Sequence, residues 1–389
     1  MSGRRAFLAS AGGLIAAAGM SRSVRASQAD PFFGEHQGGI ATPQQTQTYF
    51  AALDLIAKKP GDVVRALRAW TDAAARLTRG QETPADSGEA IGIGAAGLTV
   101  TFGLGAGLFD NRYGLAARRP GALVDLPAFN GDQLVPERSG GDISIQACAD
   151  DPQVAFHAVR QLVRLAEGVA RVRWSQTGFL PATAPGETPR NLMGFKDGTR
   201  NAQDLAKSVW ITDEGPAWMR GGSYVVVRKI RMALEHWDKT DVDFQEEVFG
   251  RHKRSGAPVG REREHDAPDF EGADQDGNPT IAENAHLRLA APETNGGTQI
   301  LRRGYSYNDG ANFTAERWPP WRQGIEYDAG LLFIAYQRDP RTGFIRLFEN
   351  MAKMDALNQF TTHVGSGLFA CPGGIGDGQF LAQGLFDAA

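Results

Sequence analysis

The chain has 389 residues, enough for two packed domains, each with its own core. An apolar fraction of 42% and a charged fraction of 22% are those of a soluble globular protein. The formal net charge of −4, with both signs interspersed, leaves no basic stripe for nucleic acid, and two cysteines exclude a disulfide framework or a thiolate-rich cluster.

In chain order, Arg4-Arg5 precedes Ala6-Phe7-Leu8, a small apolar run from Ala9 to Met20, and Ser21 onward. This pattern resembles a twin-arginine export signal over 1–29, cleaved after Ala26 or Ala29. The apolar run is shorter than the roughly 20 residues a membrane span needs. An exported, periplasmic protein is therefore expected, by a route that suits a cofactor loaded before export.

The rest reads as one pattern written twice. Residues 47–55 are strand-like. Residues 60–77 carry Val63, Val64, Leu67, Trp70, Ala74 and Leu77 at helical spacing. Strands at 98–104 and 143–148 follow, then a helix over 151–165 opened by Asp150-Asp151-Pro152, then a strand at 169–177. The order β-α-β-β-α-β is the ferredoxin-like arrangement. The second half offers strands at 222–230, 299–305, 330–335 and 358–371, with helices over 231–249 and from Asp339-Pro340 through 357. The fold expected is α+β, tandem ferredoxin-like domains over 30–190 and 191–389, with antiparallel sheets and helices packed on them. The polar stretch 251–284 is read as a functional insertion. Within it, Asp274-Gln275-Asp276-Gly277 with Glu283 sketches a calcium loop, but Gly272 stands where the first aspartate belongs.

Two segments carry chemistry. The first is Asn191-Leu192-Met193-Gly194-Phe195-Lys196-Asp197-Gly198-Thr199-Arg200-Asn201. Its Gly-x-x-Asp-Gly core alone is poor evidence in a chain with 48 glycines, and Gly374-Ile375-Gly376-Asp377-Gly378 repeats it in the tail. The second is Ala285-His286-Leu287-Arg288 followed by Ile300-Leu301-Arg302-Arg303-Gly304-Tyr305. Adjacent side chains on a strand point to opposite faces, so only one of the two arginines can enter a site.

Together these segments resemble the dye-decolourising peroxidase family. The resemblance implies one haem b per chain in the C-terminal domain, with His286 as axial ligand to the iron, chosen from seven histidines by its Ala-His-Leu-Arg context. It implies Asp197 and Arg302 as catalytic residues on the distal side, with Gly198 and Asn201 also at the cofactor. The family pattern puts the distal arginine at Arg302 and turns Arg303 away, into a salt bridge.

Peroxide cleavage needs a proton carried from one oxygen to the other, work for Asp197, and fixed positive charge where negative charge develops, work for Arg302. A carboxylic acid titrates near 3.9 as a free side chain, against roughly 6.5 for histidine, which predicts activity strongest at acidic pH. The implied partners are hydrogen peroxide and a small-molecule electron donor such as a dye, phenol or porphyrin. Phe33-Gly34-Glu35-His36-Gln37-Gly38-Gly39-Ile40 and Ser255-Gly256-Ala257-Pro258 resemble the family's exported branch, linked to bacterial iron uptake and described as deferrochelatase/peroxidases. That branch implies partners in ferrous-iron uptake, and a homodimer is left open. A haem carrier would need His286 but not Asp197 and Arg302. A chlorite-decomposing relative would lack the Gly-x-x-Asp-Gly aspartate.

Overall fold

The computed structural model describes residues 32–387 apart from 85, 185 and 316–322. The export signal and the segment Trp318 to Trp321 lie outside the described residues.

The first half contains β1 (Gln47–Leu55), β2 (Thr99–Gly105), β3 (Ile143–Ala149) and β4 (Ala170–Phe179), paired antiparallel in the order β4-β1-β3-β2. The second contains β5 (Ser223–Met232), β6 (Leu301–Arg302), β7 (Tyr305–Ala315), β8 (Gln323–Gln337) and β9 (Thr361–Cys371), in the order β9-β5-β8 with β7 and β6 on the far side of β8. Each half has the ferredoxin-like strand order. Short pairings, Leu104 with Ala370 and Phe179 with Ser306, join the sheets edge to edge, so the pairings close into a ring.

Strand alternation sorts the cores. On β1, Phe50 and Ala52 point between the two sheets, where they meet Val225, Val227, Leu332, Ile334, Tyr336 and Phe369. Ala51, Leu53 and Leu55 point outward, under α1 (Pro60–Leu77) and α2 (Pro152–Leu165). On α1 the buried positions Val63, Ala66, Leu67, Trp70, Ala74 and Leu77 form one face. Trp70 is fully buried, and its indole N–H donates to the Leu162 carbonyl at 2.7 Å. The Asp151 carboxylate caps α2 by accepting from Gln153 N and Val154 N at 2.7 and 3.1 Å.

The second half departs from the expected elements. The strand at 222–230 continues to Met232, and the expected 231–249 helix shrinks to two pieces, Leu234–Trp237 and Val242–Phe249. The expected strand at 299–305 splits into β6 and β7 at Arg303-Gly304. The helix expected from Asp339 begins with a wide turn kinked at Gly343 and becomes regular only over Arg346–Met354.

Cys148 and Cys371 are buried free thiols. The calcium sketch is filled from within. The Asp274 carboxylate accepts from Asp276 N and Asn278 N at 2.9 and 2.8 Å, as an aspartate-capped turn does. Beside α2, Asp86 Oδ2 lies 2.9 Å from His157 Nε2 and Glu89 pairs with Arg160 and Arg164, so each member of this cluster already has a partner.

Candidate active site

The segment carrying Asp197 is a tight loop pinned at every turn. Asn191 Oδ1 accepts from Met193 N at 3.0 Å and Phe195 N at 3.2 Å, folding the chain back on itself. Gly194, at φ +87°, makes that reversal in a conformation few other residues adopt, and a Cβ there would meet Lys253 at 2.7 Å. Phe195 is fully buried and stacks on Phe249, ring centroids 3.9 Å apart. The polar insertion supplies the rest. Glu264 accepts from Lys196 Nζ at 2.5 Å and Thr199 Oγ1 at 2.8 Å, gripping the loop on both sides of Asp197. These bonds, working against burial, pull its carboxyl down to about 2. Arg190 donates to the Lys253 and Arg254 carbonyls at 2.5 and 2.7 Å.

Arg302 comes from β6, paired through Ala335 to β8. Its Nη1 donates to Asp197 Oδ1 at 2.6 Å. Asn201 is not among the cavity-lining residues. Instead its Nδ2 donates to the Arg302 carbonyl and its Oδ1 accepts from the Arg302 N–H, both at 2.7 Å. A side-chain amide thus closes the open edge of β6 as a neighbouring strand would. Gly198, at φ +121°, does line the cavity. Arg303 points to the other face, as strand alternation requires, but into no salt bridge among the described residues. Its guanidinium donates to the Thr42 carbonyl and, at 2.8 Å, to Gln45 Oε1.

His286 opens the short helix His286–Ala290. Its Nδ1 lies 2.7 Å from Asp355 Oδ2, so that nitrogen is taken and Nε2 is left for the cavity. The Asp355 side chain is 3% exposed, and its Oδ1 accepts from Leu357 N at 2.9 Å. Burial alone would lower the His286 pKa; the Asp355 charge and hydrogen bond outweigh it and hold the pKa above histidine's ordinary value. Sequence reasoning missed Asp355. Its partner lies 69 positions away, and nothing in its local context marks it.

Asp197, Arg302 and His286 line one cavity, about 1500 Å³ of empty space when the solvent at its open mouth is counted. Its walls include Ile230, Met232, Leu331, Phe333, Phe344 and Phe348. A second histidine, His363, also lines it. The two are unlike. His363 Nδ1 accepts from Arg228 Nε at 3.0 Å, and burial together with the Arg228 charge pushes its pKa down to about 3. A metal cation is better served by the imidazole backed by a carboxylate, which raises ligand basicity, than by one backed by a guanidinium.

One corner of the cavity is over-supplied with cations. Arg200 pairs with Glu293 at 2.5 Å, yet its Nη1 is buried with no hydrogen-bond partner among the described residues. Arg251 is buried, and its pKa is lowered to about 10 by burial and by the nearby charges of Arg200 and Arg302. This corner calls for an anion.

Residues 37–180 match the model for the N-terminal part of Dyp-type peroxidases, and residues 188–376 match that for the C-terminal part. This chain belongs to the Dyp-type peroxidase family. It is 44% identical to a dye-decolorizing peroxidase of Thermobifida fusca, over 90% of this chain and 84% of that one. It is 38% identical to the deferrochelatase of Escherichia coli K12, over 89% and 85%. Among solved structures, a DyP-type peroxidase from Streptomyces coelicolor is 42% identical with a TM-score of 0.86, covering 92% of this chain and 96% of that one. Ferric DtpA from Streptomyces lividans, also 42% identical, has a TM-score of 0.85 over 91% and 96%.

The protein is a peroxidase, with hydrogen peroxide and an electron donor as substrates and haem as cofactor. The cavity fits that cofactor. Haem is a flat apolar ring with two carboxylates. The aliphatic and aromatic walls suit the ring, the orphaned Arg200 nitrogen and crowded Arg251 suit the carboxylates, and His286 backed by Asp355 suits the iron.

Proposed function

We propose that His286 holds the haem iron in this peroxidase, and that Asp197 and Arg302 carry out proton transfer and charge stabilisation on peroxide. The observation carrying this reading is that a carboxylate-backed imidazole and an aspartate–arginine pair line the same cavity. When bound, haem supplies a ferric iron that accepts the oxidising equivalents of peroxide and passes them to the donor. Asp197 Oδ1 is held by Arg302, which leaves Oδ2 to take a proton from one peroxide oxygen and return it to the other. The remaining Arg302 N–H groups stabilise the departing oxygen until the proton reaches it and water leaves.

Asp197→Asn keeps the shape and removes the base. Peroxide turnover is expected to fall by about 10²–10⁴ while the haem absorption spectrum persists. Full turnover in that variant would remove Asp197 from the mechanism.

Export by the twin-arginine route to the periplasm is proposed on Arg4-Arg5 and the apolar run after it. A part in ferrous-iron uptake rests on likeness to the E. coli proteins named deferrochelatase. The Asp197–Arg302 pair favours peroxide chemistry over haem storage, since storing haem needs neither group.

A further inference from the structure

We propose that Arg303, which does not line the cavity, is a positioning residue for Arg302, a strut that ties the distal arginine to the N-terminal half. The proposal rests on Arg302 acting on peroxide.

Three observations carry it. Arg303 is 3% exposed and lies at the corner where β6 ends, one residue beyond Arg302. Its N–H donates to the Ile334 carbonyl at 2.8 Å, continuing the β6–β8 ladder. Its side chain crosses to the segment that leads into β1, donating to the Thr42 carbonyl and to Gln45 Oε1. Gln45 is itself fixed, since its Nε2 donates to the Gly97 carbonyl at 2.9 Å and Thr99 Oγ1 at 3.0 Å at the start of β2. On the opposite face, from the last residue of β6, Arg302 reaches Asp197 at 2.6 Å. Rotation of the strand would move both side chains together, so holding one holds the other.

Among the described residues the guanidinium pairs with no carboxylate: it donates to uncharged oxygens, its Nε has no partner, and the Cys148 thiol and Tyr305 hydroxyl lie beside it. Burying a cation on such terms is costly, and an apolar side chain of similar length would fill the slot without that cost. What an apolar chain would lack is two directed bonds across the boundary between the halves. Misplacement of a reacting group by about 1 Å costs on the order of 10²-fold in rate, so a strut can matter to chemistry it never touches.

The test uses the haem-loaded full chain and Arg303→Met, with Gln45→Leu as a milder cut of the same strut. Fluoride is the probe, because its affinity for ferric haem, read by absorption, depends on a distal hydrogen-bond donor. Arg303→Met is expected to weaken fluoride binding and lower kcat/KM for peroxide by about tenfold each, with the donor KM unchanged. Gln45→Leu should act in the same direction but less, and it alone decides the matter if Arg303→Met does not load haem. In an Arg302→Ala background, Arg303→Met should have no further effect on fluoride. Equal losses in both backgrounds, or unchanged fluoride affinity in the wild-type background, would overturn the strut. Unchanged fluoride affinity in Arg302→Ala alone would instead overturn the assignment of Arg302.

Discussion

The two halves share a strand order, yet one is filled and the other hollow. In the N-terminal half the outward face of the sheet is covered by α1 and α2, and Trp70, Leu162 and Phe102 leave no room between them. In the C-terminal half the outward residues of β5 and β8, including Ile230, Met232, Leu331 and Phe333, line the cavity. The helices that would pack there are short or kinked, from the Gly343 break to the five residues at His286. A packed sheet–helix face is exchanged for a site, and stiffness is restored from outside by the insertion, through Glu264, and by the first half, through Arg303.

The largest way to sharpen this contrast is to empty the hollow half. His286→Ala is expected to abolish the haem absorption band after reconstitution, or to shift it with peroxide turnover lost by more than about 10³-fold. An unchanged spectrum would assign the iron to another residue. Asp355→Asn keeps His286 but removes the charge behind it, and should cost about 10–100-fold in activity. Cutting the filled half should do the reverse. Trp70→Ala is expected to destabilise the protein by about 3–5 kcal/mol in denaturant melts, with the haem spectrum of the surviving folded protein unaltered. If that variant lost haem before it lost structure, the halves would not divide labour in this way.

The same contrast governs how far the sequence could be read. The filled half was legible almost residue for residue. Gln47–Leu55 and Pro60–Leu77 follow from alternation and from a single apolar helix face, because every residue there answers to one core. Around the cavity, local patterning answers to two demands and fails. The expected 339–357 helix starts on a kink, and the 299–305 strand turns a corner at Arg303-Gly304, where one residue faces the site and the next faces the other domain. At the site, Asp197, His286 and Arg302 sit in recognisable contexts. Asp355, Glu264 and Arg251 do not, since each acquires its meaning from partners that only the fold brings near. Asn201 shows the intermediate case: visible in the motif, but holding a backbone rather than lining the cavity.

The smallest expected effect lies in pH, at the wall where the hollow meets packed core. His363 is buried beside Arg228, which pairs with Asp132, and its pKa is pushed down to about 3. In the unfolded chain the same imidazole takes up a proton near pH 6.5. A folded-state pKa below the unfolded one means that this contribution to stability is complete above pH 6.5 and is lost progressively as pH falls toward 3. Glu264, held at about 2, loses its own contribution only below roughly 4.5 and so stays constant between pH 7.5 and 5. His286, whose pKa is raised, acts with the opposite sign there, but it cancels when two variants that both keep it are compared. His363→Gln retains an acceptor for Arg228 Nε and cannot titrate. Its Tm should therefore fall less than the wild-type Tm between pH 7.5 and 5, and equal falls would refute a neutral buried His363. The site and the fold thus make opposed demands on pH. An aspartate base favours acid for the peroxide step, while the imidazole in the cavity wall makes acid the direction in which the fold weakens.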